Sequence, residues 1–262
     1  MTPSPAPPPY PDAHDLLAGK TVLVTAAAGT GIGFAVAKRC AEEGARVVIS
    51  DHHERRLGEA AERLAEVAGT EPATVVCDVT DQSQVDAMFA AAIESTGGLD
   101  VLVNNAGLGG MAKLVDMTDD EWHRVLDVTL TATFRCTRAA LTHMVPRGRG
   151  AIVNNASVLG WRAQAGQAHY AAAKAGVMAL TRVAAIEAAP AGVRVNAVSP
   201  SLAMHANLAK VMPQDELDAL VAREAFGRAA EPWEVANVIV FLASDSSSYM
   251  TGEVVSVSSQ HP

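Results

Sequence analysis

Short apolar runs and helical stretches alternate along this chain, and that alternation constrains its fold more than any other feature. Thr21-Val22-Leu23-Val24 is a β-branched run, followed by a Gly-rich turn and a helical stretch to about Gly44. Val47-Val48-Ile49 reads as the next strand, and Glu54 to Ala68 as the next helix, with Leu57, Ala61 and Leu64 at helical spacing. Thr74 to Cys77 follows as strand and Gln82 to Ser95 as helix, opened by Asp81 as N-cap. Then come strand Val101 to Val103, one long helix from about Asp119 to Met144, strand Ala151 to Val153, helix His169 to Ala188 and strand Val193 to Val195. Helices near Asp215 to Arg223 and Trp233 to Leu242, and a strand Glu253 to Val255, complete the series. Strands this continuously apolar are buried on both faces. The expected fold is therefore α/β, a doubly wound sheet of about seven parallel strands with helices on both sides.

The chain has 262 residues, enough for one large domain or two small ones. Composition shifts at one place only. Met1 to Pro11 holds six of the 13 prolines, and such a segment forms neither helix nor inner strand. Residues 1–17 are expected as a mobile tail, and residues 18–262 as one domain. At 49% hydrophobic and 19% charged residues the chain is not disordered. A formal charge of −9 with 4% aromatics argues against nucleic acid, which requires basic patches and stacking faces. Cys40, Cys77 and Cys136 are dispersed and odd in number, which suits a reducing compartment. No secretory signal precedes Lys20 and no uncharged apolar run reaches the ~20 residues that span a bilayer, so a cytoplasmic protein is expected, without a membrane.

Open parallel sheets bind ligands at the carboxyl ends of their strands. After the first strand stands Thr25-Ala26-Ala27-Ala28-Gly29-Thr30-Gly31-Ile32-Gly33, entering a helix. Small residues there let backbone amides reach a pyrophosphate, and the helix N-terminus favours its charge; the alternative is a Gly-rich turn without ligand. Asp51, ending the second strand, is placed to accept both ribose hydroxyls of an adenosine and repel a 2′-phosphate, or else to cap the next helix. NAD is thus expected over NADP, with Arg55 and Arg56 keeping NADP as the lesser option. Asp78 and Val79 end the third strand, Asp78 suiting an adenine amino group or a turn cap, and Asn104-Asn105-Ala106-Gly107 ends the fourth with amides and a glycine fit for a cofactor edge.

Tyr170-Ala171-Ala172-Ala173-Lys174 places a phenol and an ammonium on one helix face, with Ser157 thirteen residues earlier at the end of the fifth strand. A nearby ammonium lowers a phenol's pKa, making it a general acid or base near neutrality. Together with the glycine loop and Asn104 to Gly107, these residues resemble the short-chain dehydrogenase/reductase family over about residues 18 to 258. Gly227-Arg228, Glu231-Pro232, Phe241 to Ser244 and Thr251-Gly252 resemble the tail of its 3-oxoacyl-carrier-protein reductases. The resemblance implies a Rossmann fold and hydride transfer between a nicotinamide and a secondary alcohol or ketone. Tyr170 is then the proton donor or acceptor; Lys174 tunes it and binds the nicotinamide ribose, and Ser157 orients the substrate oxygen. Gly29, Thr30, Gly31, Ile32, Asp51, Asp78, Val79, Asn105, Ala106 and Gly107 join Tyr170 and Lys174 around the dinucleotide.

Departures from the family pattern are specific. The glycine loop is one residue longer, with Ala26 in place of the first glycine. Thr129 stands where the family carries its catalytic Asn, which implies an altered proton relay. Pro200-Ser201 replaces Pro-Gly, and His205 replaces a Thr facing the carboxamide, as a nicotinamide contact or a lid residue. His52-His53-Glu54 lacks metal-site spacing, so no metal is expected, and Ser157 is in no G-x-S-x-G elbow of a hydrolase.

Residues 202–226 are expected as a substrate lid, apolar through Leu202, Met204, Leu208, Val211, Met212, Leu217, Leu220 and Phe226. Met111, Leu114, Leu159, Trp161 and Arg162 flank the expected carbonyl site, Trp161 facing a flat ring and Arg162 a carboxylate or CoA phosphates. The favoured substrate is a hydrophobic acyl thioester or an alicyclic, sterol-derived acyl-CoA. The alternatives are a 3-oxoacyl-carrier-protein reductase and a non-catalytic dinucleotide sensor. Helix His169 to Ala188 is apolar or small on nearly every side, and with the resemblance this implies a homotetramer or homodimer.

Overall fold

The computed structural model describes residues 5–204 and 214–260. Seven strands form one parallel sheet: β1 Thr21–Thr25, β2 Arg46–Asp51, β3 Ala73–Val76, β4 Val101–Asn104, β5 Gly150–Asn155, β6 Val193–Pro200 and β7 Val254–Val257. Their spatial order is β3-β2-β1-β4-β5-β6-β7, so the winding direction reverses between β1 and β4. This is the doubly wound arrangement expected, and its carboxyl-end crevice lies at that reversal.

Alternation along each strand divides the apolar residues between two cores. Val22, Val24, Ile49, Val101, Val103 and Val153 face α1 (Ile32–Glu42), α2 (Glu54–Ala68) and α8 (Pro232–Ala243). Leu23, Val48, Leu102 and Ile152 face α3 (Gln82–Thr96), α5 (Ala132–Arg147) and α6 (Ala168–Ala188). Burying a Val or Leu contributes about 1.5–3 kcal/mol, and here every strand position of β1 and β4 is buried.

The long helix expected from Asp119 to Met144 is interrupted. α4 (Asp119–Leu126), capped by Thr118 and Glu121, runs into a π-turn at Asp127–Thr131 before α5 resumes. One inserted residue per turn shifts helix phase without breaking the hydrophobic pattern, so periodicity does not reveal it. α7 (Gln214–Val221) is the one helix described within the expected lid.

The Pro-rich segment departs from expectation at its inner end. Tyr10 donates a 2.7 Å hydrogen bond to Glu42 and sets its ring edge-on to Trp233 at 5.4 Å. The amides of His14 and Leu16 donate to buried Glu43, itself 2.6 Å from Arg39, and Leu17 is fully buried. The segment is therefore fastened to α1 from Tyr10 onward. All three cysteines are buried as free thiols; burial pushes Cys40 and Cys136 up to about 12 and Cys77 to about 11, which keeps them protonated and inert. Among the described residues no helix is long and apolar enough to cross a membrane and no side-chain cluster forms a metal site.

Candidate active site

The carboxyl ends of the strands open into a cleft of about 930 Å³ that holds the glycine loop, Asp51, Asp78, Asn105 to Gly107, Tyr170 and Lys174. Gly31 caps α1 without a side-chain hydrogen bond, and the first turn carries no acidic residue, so its amides face the cleft free for an anion. Gly33 is obligatory: a Cβ there would lie 2.4 Å from Ala26 O and from Asn105 Nδ2. Ala26 itself has φ +52, a left-handed conformation that glycine would adopt without strain.

Asn105 fastens the loop from below. Its Nδ2 donates to Thr25 O at 3.2 Å and Ala26 O at 3.1 Å, while Thr25 Oγ1 accepts from the Asn105 and Ala106 amides at 3.0 and 3.2 Å. Asn155 Nδ2 donates to Asn105 Oδ1 at 3.0 Å, and Asn155 O accepts from Lys174 Nζ at 2.5 Å. A chain of amides therefore runs from the glycine loop to the lysine. Asn104 points to the opposite face, donating to Asn154 and Thr137, and serves the core.

Asp51 is buried, and its carboxylate accepts from the amides of Ala28 at 3.3 Å and His53 at 3.1 Å. The N-cap of α2 is His53, so Asp51 is not the helix cap but a carboxylate set between two loops at the cleft's end. Arg56 stands 4.0 Å away. Asp78 and Val79 also line the cleft, although Asp78 Oδ1 is engaged by the amide and hydroxyl of Thr80 at 2.9 and 2.7 Å. His205 lies outside the described residues.

Tyr170 is hydrogen-bonded to Ser157 and lies beside Lys174, but the electrostatics differ from the simple lysine-lowers-tyrosine picture. Burial raises the Tyr170 phenol above its ordinary value, and its hydrogen bond with Ser157 offsets this only in part. Burial also lowers the Lys174 ammonium from 10.5 to about 8. Its Nζ lies 5.5 Å from the tyrosine ring centroid. Both groups are desolvated, so each favours its neutral form.

Thr129, in place of the expected Asn, sits in the π-turn and is fully buried. Its Oγ1 accepts from Leu108 N at 3.0 Å and donates to Leu108 O at 3.1 Å. The proton of the hydroxyl and one of its two lone pairs hold the loop after Gly107. The Arg162 guanidinium donates to Gln260 Oε1 at 2.5 Å and to Gln260 O at 3.3 Å. His169 was not singled out by the sequence. It is buried beside Tyr170, accepts that residue's amide at 2.8 Å on Nδ1 and packs its Nε2 against Gly110. A His immediately before the Tyr was its only signal.

These residues fit a dinucleotide: small residues and open amides for pyrophosphate, a buried carboxylate for ribose, and a Ser, Tyr and Lys at the far end. The family model described as Enoyl-(Acyl carrier protein) reductase matches residues 26–259. The chain belongs to the short-chain dehydrogenase/reductase family. It is an oxidoreductase, and short-chain dehydrogenases/reductases work with nicotinamide cofactors. The chain is 66% identical over 251 residues, 95% of each chain, to the (5R,7aS)-5-hydroxy-7a-methyl-1-oxo-2,3,5,6,7,7a-hexahydro-1H-indene-carboxyl-CoA reductase of Mycobacterium tuberculosis. It is 43% identical to the cis-4-hydroxycyclohexanecarboxylate dehydrogenase of Sinomonas cyclohexanicum, over 90% of this chain and 94% of that one. A short chain dehydrogenase from Mycobacterium smegmatis, solved by crystallography, superimposes with a TM-score of 0.88 at 61% identity, covering 99% of both chains.

Proposed function

We propose that this short-chain dehydrogenase/reductase is NAD-dependent and interconverts a ring secondary alcohol and ketone on an alicyclic acyl-CoA. The observation that carries the reading is one cleft that holds Tyr170 and Lys174, Tyr170 being hydrogen-bonded to Ser157, and also the buried carboxylate of Asp51. The relative named as an indene-carboxyl-CoA reductase and the one named as a hydroxycyclohexanecarboxylate dehydrogenase are both named for a hydroxylated ring that bears a carboxyl group, which supports the substrate class. So do the large apolar side chains Met111, Leu114, Trp161 and Phe226, which are 63%, 72%, 51% and 56% exposed. The loop that carries Met111 packs against the one before α6.

Gly29, Thr30, Gly31 and Ile32 hold the pyrophosphate, Asp51 the adenosine ribose, and Asn105, Ala106 and Gly107 the edge of the dinucleotide. Asp51 favours NAD because a 2′-phosphate would meet a buried carboxylate. When bound, the nicotinamide supplies or accepts the hydride. Ser157 Oγ donates a hydrogen bond to the substrate oxygen. Tyr170 Oη gives its proton to that oxygen in reduction and takes it back in oxidation. Lys174 stabilises the phenolate and holds the nicotinamide ribose. Residues 18–262 form the catalytic domain with residues 202–226 as its lid. The outward Val183 and Ile186 of α6, 55% and 76% exposed, support assembly as a homotetramer or homodimer; the site of work is the cytoplasm.

The test is a spectrophotometric assay of the indene-carboxyl-CoA alcohol named above and of 4-hydroxycyclohexanecarboxyl-CoA, each with NAD and NADP. Turnover of ring alcohols with NAD preferred, lost in Tyr170→Phe while NAD still binds, is expected. Binding of NAD without turnover of any alcohol or ketone would leave the sensor reading instead.

A further inference from the structure

Glu224 is a buried carboxylate that the chemistry above does not use. Four donors from two separate segments converge on it. Oε1 accepts from Gln260 Nε2 at 2.7 Å and from Leu202 N at 3.3 Å; Oε2 accepts from Ser259 Oγ at 2.7 Å and from Ser201 Oγ at 3.0 Å. Ser201 and Leu202 are the exit of β6, where the candidate lid begins, and Glu224 lies near its end. Ala225 N donates to Ser259 O at 3.0 Å, so the end of the lid is also bonded to the C-terminal segment through the backbone. The hydroxyl of Ser201, where the family pattern has glycine, finds its reason here.

The far side of Gln260 holds Arg162, in the loop that follows Ser157. The Gln260 amide therefore lies between a guanidinium and a carboxylate, acceptor end toward Arg162 and donor end toward Glu224. Both hydrogen bonds involve a charged partner, and each polarises the other through the amide. Dinucleotide residues take no part in this network: Asp51 and the glycine loop are bonded among β1, β2 and β4.

We propose that Gln260 is a positioning residue for substrate recognition, a bridge that fixes Arg162 and, through Glu224, both described stems of the lid as one wall of the substrate site. The proposal rests on the alcohol-oxidising reading above for its kinetic readout, but not for its structural one. On the full-length protein, Gln260→Ala, Arg162→Met and the double variant are assayed with the indene-carboxyl-CoA alcohol and NAD. Amide hydrogen exchange of residues 201–204 and 222–227 is measured in parallel without any ligand.

Each single variant should raise KM for the acyl-CoA by roughly tenfold, the worth of one charge-assisted hydrogen bond, with kcat and NAD affinity within twofold of wild type. Because both substitutions break the same bridge, the double variant should be no worse than the poorer single one. Exchange at both lid stems should quicken in all three. Fold-changes in exchange that multiply in the double variant, or stems that exchange as in wild type in Gln260→Ala, would overturn the bridge. If the wild type turns over none of the alcohols, the substrate reading fails alone, and the ligand-free exchange cycle still decides the role of Gln260.

Discussion

Lys174 sits in the floor of the cleft, 3% exposed, with its ammonium lowered from 10.5 to about 8 by burial. At ~1.4 kcal/mol per pH unit, that displacement means the folded protein bears a cost of about 3 kcal/mol for carrying this charge at pH 7. Lys174→Met keeps the stem and removes the charge. It also removes the Nζ hydrogen bond to Asn155 O, worth about 1 kcal/mol net, so the variant should be more stable at pH 7 by about 2 kcal/mol. For a chain of this size that is a rise in melting temperature of roughly 4–8 °C. The sign of the pH dependence follows from the lowered value. Between pH 8 and 10.5 the unfolded wild type binds a proton that the folded form does not, so wild-type stability gains on the variant as pH rises. The advantage of Lys174→Met should shrink through this window to about zero near pH 9.5. Melting followed by circular dichroism at pH 7, 8.5 and 9.5 makes the comparison, with loss of turnover as the control that the lysine was needed. A variant less stable than wild type at pH 7, or an advantage that does not change with pH, would show that the site stores no such cost.

Other substitutions read other parts of the site. Asp51→Ala should raise kcat/KM with NADP relative to NAD at least tenfold, since it removes the carboxylate a 2′-phosphate meets; steady-state kinetics with both dinucleotides measures it. Ala26→Gly should relieve the φ of +52 and stabilise the protein by about 0.5–1 kcal/mol, seen as a higher denaturant midpoint. Thr129→Val breaks both bonds to Leu108 and should cost about 1–3 kcal/mol without moving the pH profile of turnover. A moved profile would return Thr129 to the proton relay.

The sheet was legible because both its faces are buried, so strands such as Val22 to Val24 and Val101 to Val103 show as unbroken apolar runs. Ser157, Tyr170 and Lys174 were legible because β5 and α6 place them by local rules, thirteen residues and one helical turn apart. What stayed hidden depends on distance or burial. Tyr10 finds Trp233 and Glu42 across the fold, a pairing no local pattern encodes. The environment of Tyr170 is set by desolvation, which opposes the effect that residue types alone suggest. The partner of Arg162, Gln260, lies 98 positions away in the sequence. The π-turn at Asp127–Thr131 leaves no periodic trace, yet it is what turns Thr129 onto Leu108.

In the proposed reaction Tyr170 moves the proton of a ring alcohol beside a bound NAD. Its most direct measurement is single-turnover oxidation of the indene-carboxyl-CoA alcohol by wild type and Tyr170→Phe, with NAD affinity determined for both. Tyr170→Phe should lower the rate by about 10²–10⁴-fold with affinity unchanged within threefold. A Tyr170→Phe protein that oxidises the alcohol at the wild-type rate would contradict the proposed reaction.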